Sequence, residues 1–318
     1  MTRRVEGVLP FWLDRPDEEA LAIAAEVEAA GLETLWIGEL VSFDAFVLAT
    51  AIGGSCDLRL RVGPLAVGVR SAVSIALGIS SVATLTGRDV SLALGASSPV
   101  MVSGWHDRDW AHGASRMRET IEALRQILSG ERSSYDGEYV RTNGFRLRRP
   151  MPGIRITVAA FGPAMTRVAA RHADEVVLNL VPPDHVAGVR ETLDAEAAAA
   201  GRPAPELAVW VPAALEPDDA ARAQLASQLA VYLGAPGYGE MFSELGFGDV
   251  VQRAREGARR SELAEAVPYE LIAQVCATGS KAEVAARIST YHDAGADTVG
   301  IAPSTASDPG GAGVLRAA

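Results

Sequence analysis

Lysine is almost absent from this chain. Lys281 is the only lysine among 29 basic residues, so the other 28 are arginines. A lysine Schiff base is therefore effectively excluded, because this lysine opens a predicted helix after the capping box Ser280-x-x-Glu283. Any fixed positive charge in an active site must come from arginine or from the N-terminus of a helix.

Cysteine and long apolar runs are also scarce. Cys56 and Cys276 lie far apart with no CxxC spacing, which excludes a disulfide framework or a zinc site and suits a reducing cytoplasm. The apolar run at 5–13 is too short and too broken for a signal peptide, and no run reaches the length of a membrane span. We therefore expect a cytoplasmic protein with no membrane partner and no metal.

Acidic residues outnumber basic ones by 40 to 29, which gives a formal net charge of −11. A duplex-binding protein usually presents a basic face, so no nucleic-acid partner is expected. The motifs HExxH, GxSxG and a Walker A lysine loop are absent from the sequence, so hydrolysis by zinc or a nucleophilic serine is poorly supported.

Eight short aliphatic segments alternate with long alanine-rich stretches that have the pattern of helices. The predicted strands cover 5–9, 34–37, 59–67, 90–94, 154–159, 175–178, 207–211 and 297–302. Eight strand–helix units in one chain predict an α/β fold, a (β/α)8 TIM barrel, as a single domain over 1–318. The main competitor is a doubly wound sheet, which needs a glycine-rich phosphate loop after its first strand. Residues 10–14, PFWLD, contain no such loop.

Three stretches depart from this alternation. Residues 131–150 predict a hairpin insertion with Asp136-Gly137 and Asn143-Gly144 turns. Residues 233–266 break the rhythm with glycine, proline and aromatic residues. The last ten or so residues have no regular pattern, and we expect them to form a disordered tail.

The active site of a TIM barrel is built at the carboxyl ends of its strands, which selects the residues to inspect. At the fifth strand, Phe161-Gly162-Pro163 passes directly into a helix, whose N-terminal N–H groups and dipole could bind a phosphate. An ordinary loop with good helix-start chemistry is the alternative. The glycine- and serine-rich loop after the fourth strand could let a ligand approach the backbone, or could be a simple flexible turn.

Two acid–base candidates lie near these strand ends. His106 follows Trp105 and could donate a proton, although a salt-bridged surface loop would have the same composition. Glu39 ends the second strand, where it could act in catalysis or cap the next helix.

The order and spacing of six segments resemble the luciferase-like flavin and deazaflavin oxidoreductases, particularly the branch that uses coenzyme F420. The segments are AAEVEAAGLETLWIGEL (24–40), RLRVGPLAVGVR (59–70), ATLTGRDVSLALGASS (83–98), RETIEALRQILSGE with YDGEYV (118–131 and 135–140), ITVAAFGPAMTRVAARHADEVV (156–177) and ATGSKAEVAARISTYHDAGADTVGIAP (277–303). The resemblance implies a TIM barrel with insertions, a homodimer, and hydride transfer between F420 and a small organic substrate.

The resemblance also implies where the cofactor lies. Its contacts would be Gly63, Pro64, Leu65, Ala66, Val67, Gly95, Ala96, Ser97, Ala160, Phe161, Gly162 and Pro163. Behind the ring it implies a bulge with a non-prolyl cis peptide, at Leu65-Ala66 or at Ala66-Val67. Glu39 would lie beside the cofactor, and the substrate pocket would include Phe11, Trp12, Leu40 and Trp105. The 233–266 insertion, with Tyr238, Met241, Phe242 and Phe247, would line or cover that pocket, or serve in packing.

One residue departs from the family pattern. Many deazaflavin-dependent dehydrogenases have a histidine after the acid at position 39, whereas this chain has Leu40, which cannot take a proton from an alcohol. We therefore expect a reductase rather than an alcohol dehydrogenase, with His106 as its proton donor. An FMN-dependent luciferase-like monooxygenase and a non-catalytic cofactor-binding protein are the alternatives.

Overall fold

The computed structural model describes residues 3–318, so the first two residues of the predicted 1–318 domain lie outside the described part. Eleven strands are present in these residues. In chain order they are β1 (Arg4–Val8), β2 (Thr34–Ile37), β3 (Arg59–Ala66), β4 (Val90–Gly95), β5 (Ser134–Asp136), β6 (Arg141–Asn143), β7 (Ile156–Ala159), β8 (Glu175–Asn179), β9 (Glu206–Leu215), β10 (Ala277–Gly279) and β11 (Thr298–Pro303).

Eight of these strands form the sheet of a (β/α)8 barrel, which confirms the predicted fold. Their order is β9-β11-β1-β2-β3-β4-β7-β8, and β8 also pairs with β9, which closes the order. All eight correspond to predicted strands. The short strand β10, which pairs with the carboxyl end of β9, was not predicted.

Helices follow the barrel strands, in agreement with the predicted alternation. They are α1 (Glu19–Ala29), α2 (Ala45–Ser55), α3 (Ala72–Thr86), α4 (Gly113–Leu128), α5 (Pro163–His172), α6 (Pro183–Ala199) and α7 (Asp219–Tyr232). Local chemistry fixes several of their starts: Asp44, Ser71 and Asp218 each accept a hydrogen bond from a backbone N–H in the first turn of the helix that follows.

The 233–266 segment, which breaks the regular alternation, and the residues up to 275 contain four short α-helices: α8 (Tyr238–Phe242), α9 (Gly248–Arg255), α10 (Arg260–Ala266) and α11 (Tyr269–Val275). Then α12 (Lys281–Asp293) begins at the predicted capping box, where Ser280 and Glu283 bond each other's backbone N–H groups.

The expected disordered tail is wrong, because the chain ends in helix α13 (Ala312–Ala317). Val314 and Leu315 are buried there, and the Asp308 carboxylate accepts hydrogen bonds from the N–H groups of Gly313 and Val314. The Pro-Gly-Gly run before this helix hid it, since six residues carry little periodicity of their own.

Two compact units can be distinguished by their internal contacts. The first unit contains the described part of Met1–Leu32, together with Asn179–Ala187 and Val209–Ala318; the second contains Glu33–Leu178 and Gly188–Ala208. All the predicted cofactor contacts belong to the second unit.

Near the amino ends of its strands, the second unit encloses a buried charged pair. The Arg61 guanidinium donates to the Glu175 carboxylate and lies 4.6 Å from the ring centre of Trp36. Thr157 Oγ1 donates to the same Glu175 oxygen at 2.8 Å. A charge buried this deeply needs such partners, because its transfer out of water costs several kcal/mol.

The hairpin β5–β6 occupies the middle of the predicted 131–150 segment and pairs antiparallel. Two acids of α4 fasten it: Glu119 accepts the N–H groups of Tyr139 and Val140, and Glu122 accepts the Tyr135 hydroxyl at 2.5 Å. Hydrogen bonds to ionised acceptors are roughly twice as strong as neutral ones, which suits them to hold so short a hairpin.

Candidate active site

The end of β3 carries a bulge in the second unit. Its register with β4 shifts between Val62 and Leu65. Gly63 lies within this bulge with a φ of +122°, and a Cβ there would approach the Ala93 carbonyl oxygen to 2.1 Å. Glycine is the residue that fits, because any side chain would collide with backbone and strain φ at the same time.

The predicted non-prolyl cis peptide at Leu65-Ala66 or Ala66-Val67 is wrong. Within residues 3–318 the cis bond is Gly63-Pro64, two or three bonds earlier. The physical reason is proline itself, since the cis form of an X–Pro bond costs about 0.5–1 kcal/mol, against about 3 kcal/mol for other residues.

The loops after β3 and β4, predicted to lie beside the cofactor, meet in the structure. The Val67 N–H donates to the Gly95 carbonyl at 3.0 Å. A Cβ at Gly95 would lie 3.1 Å from the Cβ of Pro64, so a side chain there would press on the proline. Beyond this contact Ser97 is exposed, with a φ of +62°. The smallness of Gly95 thus lets the two loops pack against each other.

Glu39, half-buried after β2, is held by an arginine. Arg70 Nε donates to Glu39 Oε2 at 3.0 Å, and Nη2 donates to Oε1. The same Nη2 donates to Asp44, and the guanidinium carbon lies 5.0 Å from the ring centre of Phe46. Glu39 Oε1 also accepts the Ala45 N–H at 3.3 Å, so Glu39 supports the start of α2, as the capping interpretation predicted. A role of Glu39 in catalysis stays a prediction.

This cluster shifts the pKa values of its members. The hydrogen bond to Glu39, with the second one to Asp44, raises the pKa of Arg70 despite its partial burial. Burial alone would raise the pKa of Asp44, but hydrogen bonds from Arg70 and from the Val47 and Phe46 N–H groups outweigh it, so this pKa is lowered. Arg70 therefore remains a cation between two carboxylates at working pH.

Arg70 is a residue that sequence reasoning missed. It ends the segment RLRVGPLAVGVR that was read for its glycines and proline. A signal was nonetheless present, because the near absence of lysine leaves arginine as the source of fixed positive charge near a strand end.

Helix α5 begins at the predicted phosphate turn. Pro163 is its first residue and no side chain caps it, which leaves the first N–H groups of the helix without an intrahelical acceptor. Gly162 is exposed with a φ of +80°, and a Cβ there would meet nothing within 4 Å. The backbone N–H and the hydroxyl of Thr166 both donate to the Gly162 carbonyl, at 3.1 and 3.0 Å. These bonds fix the turn, while the side of Gly162 where a Cβ would lie is open to solvent.

A π-helical turn, Val100–Trp105, precedes the predicted proton donor. Val102 anchors this turn in the core, whereas Trp105 is 53% exposed. His106 follows on an exposed loop whose next residue, Asp107, has a φ of +51°. Such π-turns are rare and occur often at functional sites.

The other predicted pocket residues differ in burial. Leu40 is half-buried beside Glu39 in the second unit. In the first unit Phe11 is half-buried, whereas Trp12 is buried and donates its indole N–H to the Pro303 carbonyl at 2.8 Å. This hydrogen bond gives Trp12 a structural task at the end of β11.

The first unit also contains an aromatic cluster at the carboxyl end of β8. Asn179 hydrogen-bonds the hydroxyls of Tyr232 and Tyr238. The two tyrosine rings lie 4.8 Å apart between centres, and Phe242 lies 6.2 Å from Tyr238. Sequence reasoning named Tyr238 and Phe242 but missed Tyr232, although it directly precedes the segment that breaks the helical rhythm.

In the part of the chain that the structure describes, no group of three or more His, Cys, Asp or Glu side chains is placed to hold a metal ion. No helix in residues 3–318 combines the length and the apolar character that a membrane span requires.

Comparison with known proteins gives consistent matches. The model of the luciferase-like monooxygenase family matches residues 13–298. A Mycobacterium tuberculosis protein with the provisional name coenzyme F420-dependent oxidoreductase Rv3520c is 24% identical over 320 residues, covering 90% of this chain and 91% of that protein.

Solved structures share the fold. Coenzyme F420-dependent tetrahydromethanopterin reductase from Methanopyrus kandleri superposes with a TM-score of 0.82 at 18% identity, covering 99% of this chain and 97% of that one. An F420-dependent secondary alcohol dehydrogenase, solved with an F420-acetone adduct, gives a TM-score of 0.80 at 16% identity, with coverages of 99% and 98%.

Proposed function

Since the chain belongs to the luciferase-like monooxygenase family, a family of oxidoreductases, we propose that it uses coenzyme F420 to transfer a hydride to or from a small organic substrate. The observation that carries this proposal is the N-terminus of α5. No side chain caps this helix end, and Gly162, which precedes it, has no atom within 4 Å of the position of a Cβ, so a ligand can reach the first N–H groups. Such an end is a ready site for an anion, and F420 carries a phosphate beyond its ribityl chain.

The described residues fit such a cofactor in two places. The turn of Ala160, Phe161, Gly162 and Pro163 would hold its phosphate. The donors would be the backbone N–H groups of Phe161, Gly162 and the residues that follow Pro163, because the Ala160 N–H donates to the Val177 carbonyl and proline has no N–H. Gly63 to Val67 and Gly95 to Ser97 would lie beside its ring, where the bulge and two glycines leave backbone without side chains. F420 when bound supplies hydride chemistry; the remaining tasks fall to the protein's own side chains.

In this proposal Glu39 and Arg70 act together. The two-point contact between them fixes the carboxylate and the guanidinium in one orientation. Arg70 presents a permanent cation near the end of β3, which would favour negative charge on a bound ring. Glu39 then serves to position Arg70.

Leu40 and His106 support a proposal for the direction of the reaction. Leu40 has no atom that can accept a proton, so it cannot serve as the base of an alcohol oxidation. His106 lies on an exposed loop, where it can exchange protons with solvent and supply one to a reduced product. We therefore favour a reductase. From the family resemblance we further propose that it acts as a homodimer, and from its composition that it is cytoplasmic.

A titration distinguishes the cofactors. The purified protein is titrated with oxidised F420 and, separately, with FMN, while the fluorescence of each cofactor is followed. We expect quenching of F420 fluorescence to saturate at one equivalent per chain. Tight binding of FMN with no response to F420 would instead identify a flavin monooxygenase. Turnover of reduced F420 with any acceptor would exclude a non-catalytic cofactor-binding protein.

A further inference from the structure

We propose that Asn179, Tyr232, Tyr238 and Gln228 form the substrate-recognition site of this protein, and that the substrate is an uncharged, flat acceptor with a carbonyl or hydroxyl oxygen. The inference rests on the proposed oxidoreductase function and specifies the class of its substrate. All four residues belong to the first unit.

The position of Asn179 is the first argument. It is the last residue of β8, at the carboxyl end of a barrel strand, where TIM-barrel enzymes carry the residues of their sites. Its amide bonds the hydroxyls of Tyr232 at the end of α7 and Tyr238 at the start of α8. The tilted rings and Phe242 provide apolar faces beside these polar groups. Apolar walls with a few convergent polar groups are typical of small-molecule sites.

Helix α7 supplies the second argument. Gln224, Gln228 and Tyr232 are spaced by four residues and therefore lie along one face of the helix. Gln224 is fully occupied: its carbonyl accepts Ser304 Oγ at 2.8 Å and the Thr305 N–H at 2.9 Å. These bonds fix the orientation of α7.

Gln228, one turn further along, is different. Its Oε1 is buried and has no hydrogen-bond partner within residues 3–318. A buried acceptor without a donor destabilises the folded state, and for that reason such atoms are rare. A hydroxyl or N–H group of a bound substrate would supply the missing donor.

Charge defines the substrate class. The four side chains are neutral, and burial raises the pKa of both Tyr232 and Tyr238, so their hydroxyls remain protonated donors. Two arginines close to these residues in the sequence have partners of their own: Arg255 pairs with Glu240, and Arg222 lies over the ring of Tyr269 at 4.9 Å. Among the four described side chains a phosphate or carboxylate would therefore find neutral donors and no cation to offset its desolvation.

The test measures binding to the cofactor-free protein by saturation-transfer NMR, with cyclohex-2-en-1-one as the neutral probe and glucose 6-phosphate as the charged one. The variants are Tyr232→Phe, Tyr238→Phe and Asn179→Ala. Tyr269→Phe is the matched control, because it removes an exposed hydroxyl bonded to Thr278. We expect each site variant to raise the Kd of the enone about tenfold, the size of one lost hydrogen bond, and the control to leave it unchanged.

Gln228→Leu separates recognition from a structural role. Removal of an unpartnered buried acceptor should raise the Tm by a few degrees while weakening enone binding. A structural glutamine would lower the Tm and leave probe binding intact, which would overturn the assignment. Equal enone affinity in all variants, or glucose 6-phosphate displacing the enone at equal concentration, would overturn it as well.

The F420 titration is repeated on every variant. Loss of enone binding with unchanged F420 binding supports both proposals. If the protein did not bind F420 but its enone binding depended on the four residues, the proposed use of F420 would be wrong and the proposed substrate-recognition site would stand.

Discussion

Arg70 and Glu39 lie 31 residues apart in the sequence, yet the Arg70 guanidinium holds both oxygens of the Glu39 carboxylate, with Nε 3.0 Å from Oε2. Asp44 completes the cluster on the same guanidinium. One cation thus joins the end of β2, the start of α2 and the loop after β3. Glu39, the acid that the sequence suggested for catalysis, is therefore held by Arg70, a residue that the sequence did not suggest.

We expect Arg70→Met to lower the free energy of unfolding by about 1–3 kcal/mol, because it leaves the half-buried Glu39 carboxylate and the more exposed Asp44 carboxylate without their shared cation. Urea unfolding followed by circular dichroism measures the change. Arg3→Met is the control, since Arg3 and its partner Asp293 are 56% and 61% exposed and a surface pair contributes about 0–1 kcal/mol. Equal losses in the two variants would contradict a special role for Arg70.

The pKa of Asp44 makes a prediction about pH. Because the folded-state pKa lies below the ordinary value of 3.8, the unfolded chain binds more protons in this range. The stabilisation by Asp44 is therefore complete above about pH 5 and disappears as the pH falls through the folded-state pKa. Asp44→Asn, which can still cap α2, should flatten the fall in stability between about pH 5 and pH 3.

The result is measured as unfolding free energy against pH. An unchanged slope in Asp44→Asn would show that its charge does not contribute.

Gly63→Ala should be among the most damaging single changes in the second unit. The added Cβ would lie 2.1 Å from the Ala93 carbonyl oxygen at a φ of +122°. We expect a loss of about 4 kcal/mol or more, the range of severe core and backbone mutations. Gly31→Ala, with a φ of +80° and no atom within 4 Å of the new Cβ, should cost about 1–2 kcal/mol. Comparable melting temperatures for the two variants would show that the bulge can move.

Substitution at Gly162 tests the phosphate turn. Asp and Asn introduce the same strain at a φ of +80° and have nearly the same shape, so their difference isolates one negative charge. We expect Gly162→Asp to weaken F420 binding about tenfold relative to Gly162→Asn, since the charge competes with phosphate at the helix terminus. Cofactor fluorescence measures both dissociation constants. Equal values would show that the N-terminus of α5 does not bind the phosphate.

His106→Ala tests the proton donor. Loss of a general acid typically lowers turnover by about 10²–10⁴-fold, whereas cofactor binding should be unaffected. Arg108→Ala is the control on the same exposed loop. Oxidation of reduced F420 with an acceptor gives the rate, and a His106→Ala rate equal to that of the control would leave His106 without a catalytic role.

The predicted site could be located only in part from the sequence. Residues 63–67 and 95 were expected together because glycine and proline mark strand ends, and these loops do meet through Val67 and Gly95; their contact with a cofactor stays a prediction. The cis bond was placed wrongly, because a bulge shows in the register of two strands and not in the composition of one. Arg70, Tyr232 and Gln228 were missed, since each is ordinary in its own segment and gains its meaning from neighbours far along the chain.

The sequence by itself determined the fold class and the order of its strands and helices. Strand length, helix caps and the regular βα alternation are local properties, and they were sufficient to predict all eight barrel strands. Only the tertiary structure decided which polar groups satisfy each other: Arg70 with Glu39 and Asp44, Trp12 with Pro303, and Gln224 with Ser304. The physical reason is that a hydrogen bond depends on distance and direction in space, and strand pairing brings together residues whose separation in the sequence carries no signal.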